Sequence, residues 1–83
     1  DELLIEEYEI IEAALRLGEY RRDDDATMVV LFVDTVRFNR NYRLAIKRTK
    51  AGELFITSLA RLRDRKLAQA RQRYPDLVRE HQL

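Results

Sequence analysis

The chain lacks cysteine altogether and holds only two glycines, one proline and one histidine in 83 residues. Without cysteine there is no disulfide framework and no thiolate metal site, so the core holds by packing alone, which fits a reducing compartment. The two glycines, Gly18 and Gly52, are too few for a Gly-rich phosphate loop, and no nucleophile elbow, HExxH or calcium loop occurs. This argues against dinucleotide and nucleoside triphosphate enzymes. The lone His81 lies near the C-terminus with no acidic or histidine partner at metal-ligand spacing and reads as a solvated tail residue, so neither a metal nor a cofactor is expected. Long apolar runs are also missing. The longest, Met28 to Val33, is far too short to cross a bilayer, and the acidic start Asp1-Glu2 is unlike a secretory signal. No membrane association is expected, and the cytoplasm is the expected site of action. The chain opens without Met, which fits a fragment or a processed product.

What is present suits one small domain spanning residues 1–83. A hydrophobic fraction of 46% supports a modest core, and a charged fraction of 37% covers most of a small surface. The net charge of +1 hides a division: residues 1–26 carry ten acids and three bases, residues 27–83 five acids and thirteen bases. Between residues 37 and 73, twelve Lys or Arg face only Glu53 and Asp64. Either the acidic part neutralises the basic part within one fold, or the basic stretch is a polyanion-binding face.

Periodicity predicts an amphipathic helix over Asp1–Leu17 with Leu4, Tyr8, Ile11 and Leu15 on its buried face, closed by Gly18 in a left-handed conformation. Glu19 to Asp25 reads as a polar turn. Thr27 to Phe38 is apolar at consecutive positions, the pattern of a central strand covered on both faces. Asn39-Arg40-Asn41 supplies turn chemistry, and alternation then sets Tyr42, Leu44 and Ile46 against Arg43, Ala45 and Lys47. After a turn at Thr49–Gly52, a third strand sets Leu54, Ile56, Ser58 and Ala60 against Phe55, Thr57, Leu59 and Arg61. Asp64 is placed to cap a basic helix in which Leu67, Ala70 and Tyr74 share a face, and Pro75 ends it. Asp76 to Leu83 adds at most a short helical turn. The expected fold is α+β: a short antiparallel sheet of about three strands, an N-terminal acidic helix and a C-terminal basic helix, with the helices on one face.

The residues that carry chemistry are then cations and hydroxyls on adjacent strands. If the face holding Arg43 and Lys47 coincides with that holding Thr57 and Arg61, they form one patch able to stabilise a pentacovalent phosphorane. The alternative is a solvated sheet face whose long side chains cover apolar surface. Asp34 reads as a strand-end or hydrogen-bonded residue rather than a general base.

The stretch Glu9 to Arg73, with Met28-Val29-Val30-Leu31-Phe32-Val33, Tyr42-Arg43-Leu44-Ala45-Ile46-Lys47 and Gly52-Glu53-Leu54-Phe55-Ile56-Thr57-Ser58, resembles the phage and polymorphic-toxin nuclease domains related to barnase, EndoU, colicin RNases and RelE. In such domains a helix precedes a short antiparallel sheet whose last strand runs into Thr or Ser. Many place a His in or before the first helix. This chain has none there, and RelE-like members work with Arg, Lys and Tyr instead. The resemblance implies metal-independent endoribonuclease activity by attack of the ribose 2′-hydroxyl on the adjacent phosphate. Tyr42, Lys47, Thr57 and Arg61 would be the catalytic set, and Arg43, Arg48, Arg63, Arg65 and Lys66 would hold RNA. An immunity or antitoxin protein is the implied partner. The competing expectation is a noncatalytic interaction module that binds an acidic protein or a nucleic acid through the basic half.

Overall fold

A computed structural model describes residues 3–24 and 26–79. Among these residues the order is a 3-10 turn (Ile5–Glu9), α1 (Ile10–Leu17), β1 (Glu19–Arg22), β2 (Thr27–Asp34), β3 (Arg40–Arg48), β4 (Leu54–Leu62), α2 (Asp64–Arg73) and β5 (Leu77–Arg79). The strands form one antiparallel sheet in the order β4-β3-β2-β1-β5. The class is therefore α+β, with two strands more than the sequence pattern displayed.

β2 lies at the centre, and its consecutive apolar residues dictate what surrounds it. Val30 packs with Ile10 and Ala14 of α1 and with Tyr42, Leu44 and Ile46 of β3. Its neighbours Val29 and Leu31 point the other way and pack against Leu67 and Ala70 of α2. Each Val, Leu or Ile side chain among these is worth roughly 1.5–3 kcal/mol when fully buried. Because β2 presents an apolar stripe to each side, each side needs its own lid. The two helices consequently cover opposite faces of the sheet, not a single face.

The N-terminal segment departs from its predicted stripe. The α-helix begins only at Ile10, and the buried positions are Glu7, Ile10 and Ala14, while Leu4 and Tyr8 stay half exposed. The physical reason is Glu7, whose carboxylate turns inward to meet arginines from β3 and β4. Gly18 is extended, at φ −74 and ψ 168, so left-handed geometry is not why glycine stands there. A Cβ at Gly18 would overlap Val30 Cγ1 and lie 2.5 Å from the Ala14 carbonyl oxygen. Close approach of helix and strand requires glycine at this position.

Glu19–Arg22, expected as a turn, is a strand because it has a partner on each side: β2 through Glu19↔Leu31 to Arg22↔Met28, and β5. The β5 strand stands where the pattern after Asp76 left room for a short helical turn. Residues 80–83, with His81, lie outside the described residues. β2 stops at Asp34, whose carboxylate accepts hydrogen bonds from the N–H groups of Val36, Arg37 and Phe38. Burial pushes this carboxyl up, but those donors outweigh it and hold it below its ordinary value. Asp34 is thus the hydrogen-bonded strand end that was expected. Of the predicted turn residues only Asn39, at φ 54, serves the turn; Arg40 and Asn41 already belong to β3.

The Thr49–Gly52 turn closes the β3–β4 hairpin as expected, with Gly52 at φ 86 and its N–H donating to the Thr49 carbonyl at 3.0 Å. α2 ends at Arg73 before Pro75, with Leu67 and Ala70 buried and Tyr74 packed beside them. Asp64 is the first helical residue and Arg63 the cap; the Asp64 carboxylate instead accepts a hydrogen bond from Asn41 Nδ2 at 2.8 Å. None of the helices among the described residues is long and apolar enough to cross a membrane.

Candidate functional site

The register of β3 and β4 decides whether the expected catalytic set forms one site. Arg61 pairs with Tyr42, so both project from the face covered by α1. Lys47 is five residues further along the regular strand β3, paired with Thr27 and Phe55, and projects from the opposite face. The two are also separated by about 16 Å along the strand direction. Thr57 belongs to neither row. The register shifts by one between Ala45 and Ile46, leaving Thr57 as the extra residue of a bulge, and its hydroxyl donates to the Ala45 carbonyl at 3.2 Å. From the bulge back to Leu54 the faces of β4 exchange, so Leu54 and Ile56 lie on the face that also carries Leu59 and Arg61. The convergence that one patch of Arg43, Lys47, Thr57 and Arg61 requires is therefore not met: Arg43 and Lys47 share one face, Tyr42 and Arg61 the other.

Tyr42 and Arg61 do meet, and they meet on a residue outside the expected set. The Glu7 carboxylate, 0% exposed, accepts hydrogen bonds from Arg61 Nε at 2.9 and 3.0 Å and also from Arg61 Nη2. It further accepts from Tyr42 Oη at 2.5 Å, Arg40 Nη1 at 3.3 Å and the Leu4 N–H at 3.0 Å. The Arg61 hydrogen bonds, helped by Tyr42 and the Leu4 N–H, outweigh burial and bring the Glu7 pKa down to about 2. Burial, then the bond to Glu7, pushes the Tyr42 phenol above its ordinary range, and Glu7 raises Arg61 as well. Tyr42 is itself sealed from solvent, so in this arrangement it holds a carboxylate and does not face a substrate. The sequence did contain a signal for Glu7: it stands three residues before Ile10 and seven before Ala14, on the row that α1 buries.

Three cations that make no ion pair among the described residues, Arg63, Arg65 and Lys66, gather at the end of the sheet where β2 stops, β3 starts and β4 passes into α2. A cleft of about 510 Å³ there is lined by Asp34, Asn39, Arg40, Asn41, Arg61, Arg63 and Asp64 among others. Beside it, a second depression is lined by Arg61, Arg63, Arg65 and Lys66. Arg63, Arg65 and Lys66 are exposed and make no ion pair among the described residues. Of the residues expected to hold RNA, these three come together. Arg48 sits at the other end of β3 beside an apolar groove with Met28, Ile46 and Leu54, and Arg43 is half-buried between Leu31 and Ala60 on the face that α2 covers.

Acidic and basic halves do neutralise one another in part: Glu7 pairs with Arg40 and Arg61, Glu9 with Arg37, and Glu19 with Arg71. The neutralisation expected from the sequence therefore holds for these residues, and Arg63, Arg65 and Lys66 stand outside it. Among the described residues no group of His, Asp or Glu is placed to hold a metal ion. No protein-family model, curated protein or solved structure matches the chain.

Proposed function

We propose that this domain is an interaction module that binds the phosphate backbone of RNA through the corner formed by Arg61, Arg63, Arg65 and Lys66. The observation that carries this reading is that Arg63, Arg65 and Lys66 are exposed, adjacent and in no ion pair among the described residues, while Glu7, Glu9 and Glu19 pair with other arginines. Such a cluster attracts a polyanion by releasing its condensed counterions, and it positions a backbone without reading bases. Cleavage would require a proton carrier and a stabilising cation within hydrogen-bond reach of one phosphate. Lys47 and Arg61 stand on opposite faces, which favours binding over the nuclease reading.

The test is binding of a single-stranded RNA at several salt concentrations. Three neutralised phosphates correspond to a slope of about −2 in log K against log salt. Changing Arg63, Arg65 and Lys66 together to Gln should abolish most of that slope. Salt-independent binding, or a triple variant that binds as well as wild type, would refute the reading. An acidic protein bound in place of RNA would move the function to the other kind of partner. RNA cleavage in EDTA that is lost in both Lys47→Ala and Arg61→Ala would restore the nuclease.

A further inference from the structure

The donors that surround Glu7 come from three separate parts of the chain: the Leu4 backbone, Arg40 and Tyr42 on β3, and Arg61 on β4. Two guanidinium groups, a phenol and a backbone N–H aimed at one point make a receptor for an oxyanion, and a guanidinium fork takes phosphate oxygens as readily as a carboxylate. The segment that brings the carboxylate is otherwise poorly anchored. Glu7 is the only buried residue of the turn Ile5–Glu9, and Ile5 is 85% exposed. A turn held by its charge, with few apolar contacts, belongs to the low-stability end of a fold. Beyond Glu7 the turn itself adds only the exposed pair Glu9–Arg37, a class of contact worth little, and the segment before it adds the partly buried Leu3.

Two of the donors also reach the surface. Arg40 and Arg61, which hold Glu7, line the cleft at the sheet end, and Arg61 additionally lines the depression shared with Arg63, Arg65 and Lys66. Asp34, the other buried carboxylate at this end, is committed to the N–H groups of its own loop and does not compete for these donors.

We propose that Arg40, Tyr42 and Arg61 form a phosphoryl-binding site that Glu7 occupies as an internal ligand, so that the N-terminal turn keeps the site closed until a phosphate displaces it. The site shares Arg61 with the corner proposed for RNA but uses none of its unpaired cations, so the triple Gln variant of Arg63, Arg65 and Lys66 separates the two readings. An internal ligand lowers the fraction of molecules competent to bind and weakens apparent affinity by that fraction. Removing it should therefore reveal the site.

The experiment uses the full chain and its Glu7→Ala and Glu7→Gln variants, with inorganic phosphate and a dinucleoside monophosphate as probes at matched ionic strength. Thermal unfolding and calorimetric binding are read in parallel. Both variants should bind phosphate at least about tenfold more tightly than wild type, and phosphate should raise their unfolding midpoints. The response should vanish when Arg61→Gln is added and survive the triple Gln variant of Arg63, Arg65 and Lys66. Glu9→Ala, which removes the same charge from the same turn, should behave as wild type. Response to phosphate alone would identify a free phosphate or phosphomonoester ligand; response to the dinucleotide as well would identify a phosphodiester. The proposal is overturned if the Glu7 variants respond no more than wild type, if Glu9→Ala responds equally, or if Glu7→Ala with Arg61→Gln keeps the response. Glu7 variants that remain unfolded at every phosphate concentration also overturn it.

Discussion

The Tyr42 hydroxyl donates to the Glu7 carboxylate at 2.5 Å, and neither side chain is exposed to solvent. That contact ties the N-terminal turn to β3, and with Arg61 on β4 it joins three segments around one charge. Its consequence for stability is set by sign. The folded-state pKa of Glu7, about 2, lies below its ordinary 4.5, so the contribution is fully present above pH 4.5 and disappears as pH falls toward 2. Unfolding midpoints of the wild type should fall across that window. Glu7→Gln should fall less across it, and parallel profiles for the two proteins would show that Glu7 is not the titrating group.

Glycine at position 18 is required by contact and at position 52 by backbone angle, so the same substitution has different costs. Gly18→Ala forces a Cβ into Val30 and the Ala14 carbonyl and should cost about 2–3 kcal/mol as an overpacked core. Gly52→Ala meets no atom within 4 Å but must hold φ near 86, for about 1–2 kcal/mol. Chemical denaturation of both variants checks the order, and an equal or reversed cost would contradict the close-approach reading of Gly18.

Leu67 is the larger of the two buried residues by which α2 holds its face of the sheet. Leu67→Ala should lower stability by about 2–4 kcal/mol, since the cavity lies between a helix and a central strand. Val30→Asp should prevent folding, because a carboxylate there would be buried without a partner. A folded Val30→Asp protein would mean that β2 is not the centre of the core.

The strand meander β2-β3-β4, its hairpin turn and the closing helix were legible because their signals are local: consecutive apolar residues at Met28–Val33, alternation at Tyr42–Lys47, Gly52 in the turn and Pro75 after the helix. The features that escaped are those decided far away in sequence. Glu19-Tyr20-Arg21-Arg22 has no apolar pattern, and it is a strand because β2 and β5 flank it and because Glu19 pairs with Arg71 and Arg21 donates to the Tyr74 carbonyl. Glu7 lies outside the expected stripe of Leu4, Tyr8, Ile11 and Leu15, and the partners that bury it stand at positions 40, 42 and 61. The bulge at Thr57 leaves no trace in the alternation of β4, yet it moves half of that strand to the other face and separates Thr57 from Arg61. The basic corner was legible residue by residue as Arg63, Arg65 and Lys66; its isolation from Arg43 and Arg48 was not.

The most direct measurement is a titration of isotopically labelled protein with a short single-stranded RNA at moderate salt, following backbone amide and arginine side-chain resonances. The account predicts shifts concentrated at Arg61, Arg63, Arg65 and Lys66 and at the neighbouring Arg40 and Asn41, diminishing as salt rises. Shifts centred instead on Lys47, Arg48 and the Thr49–Gly52 turn, or none at any salt concentration, would contradict it.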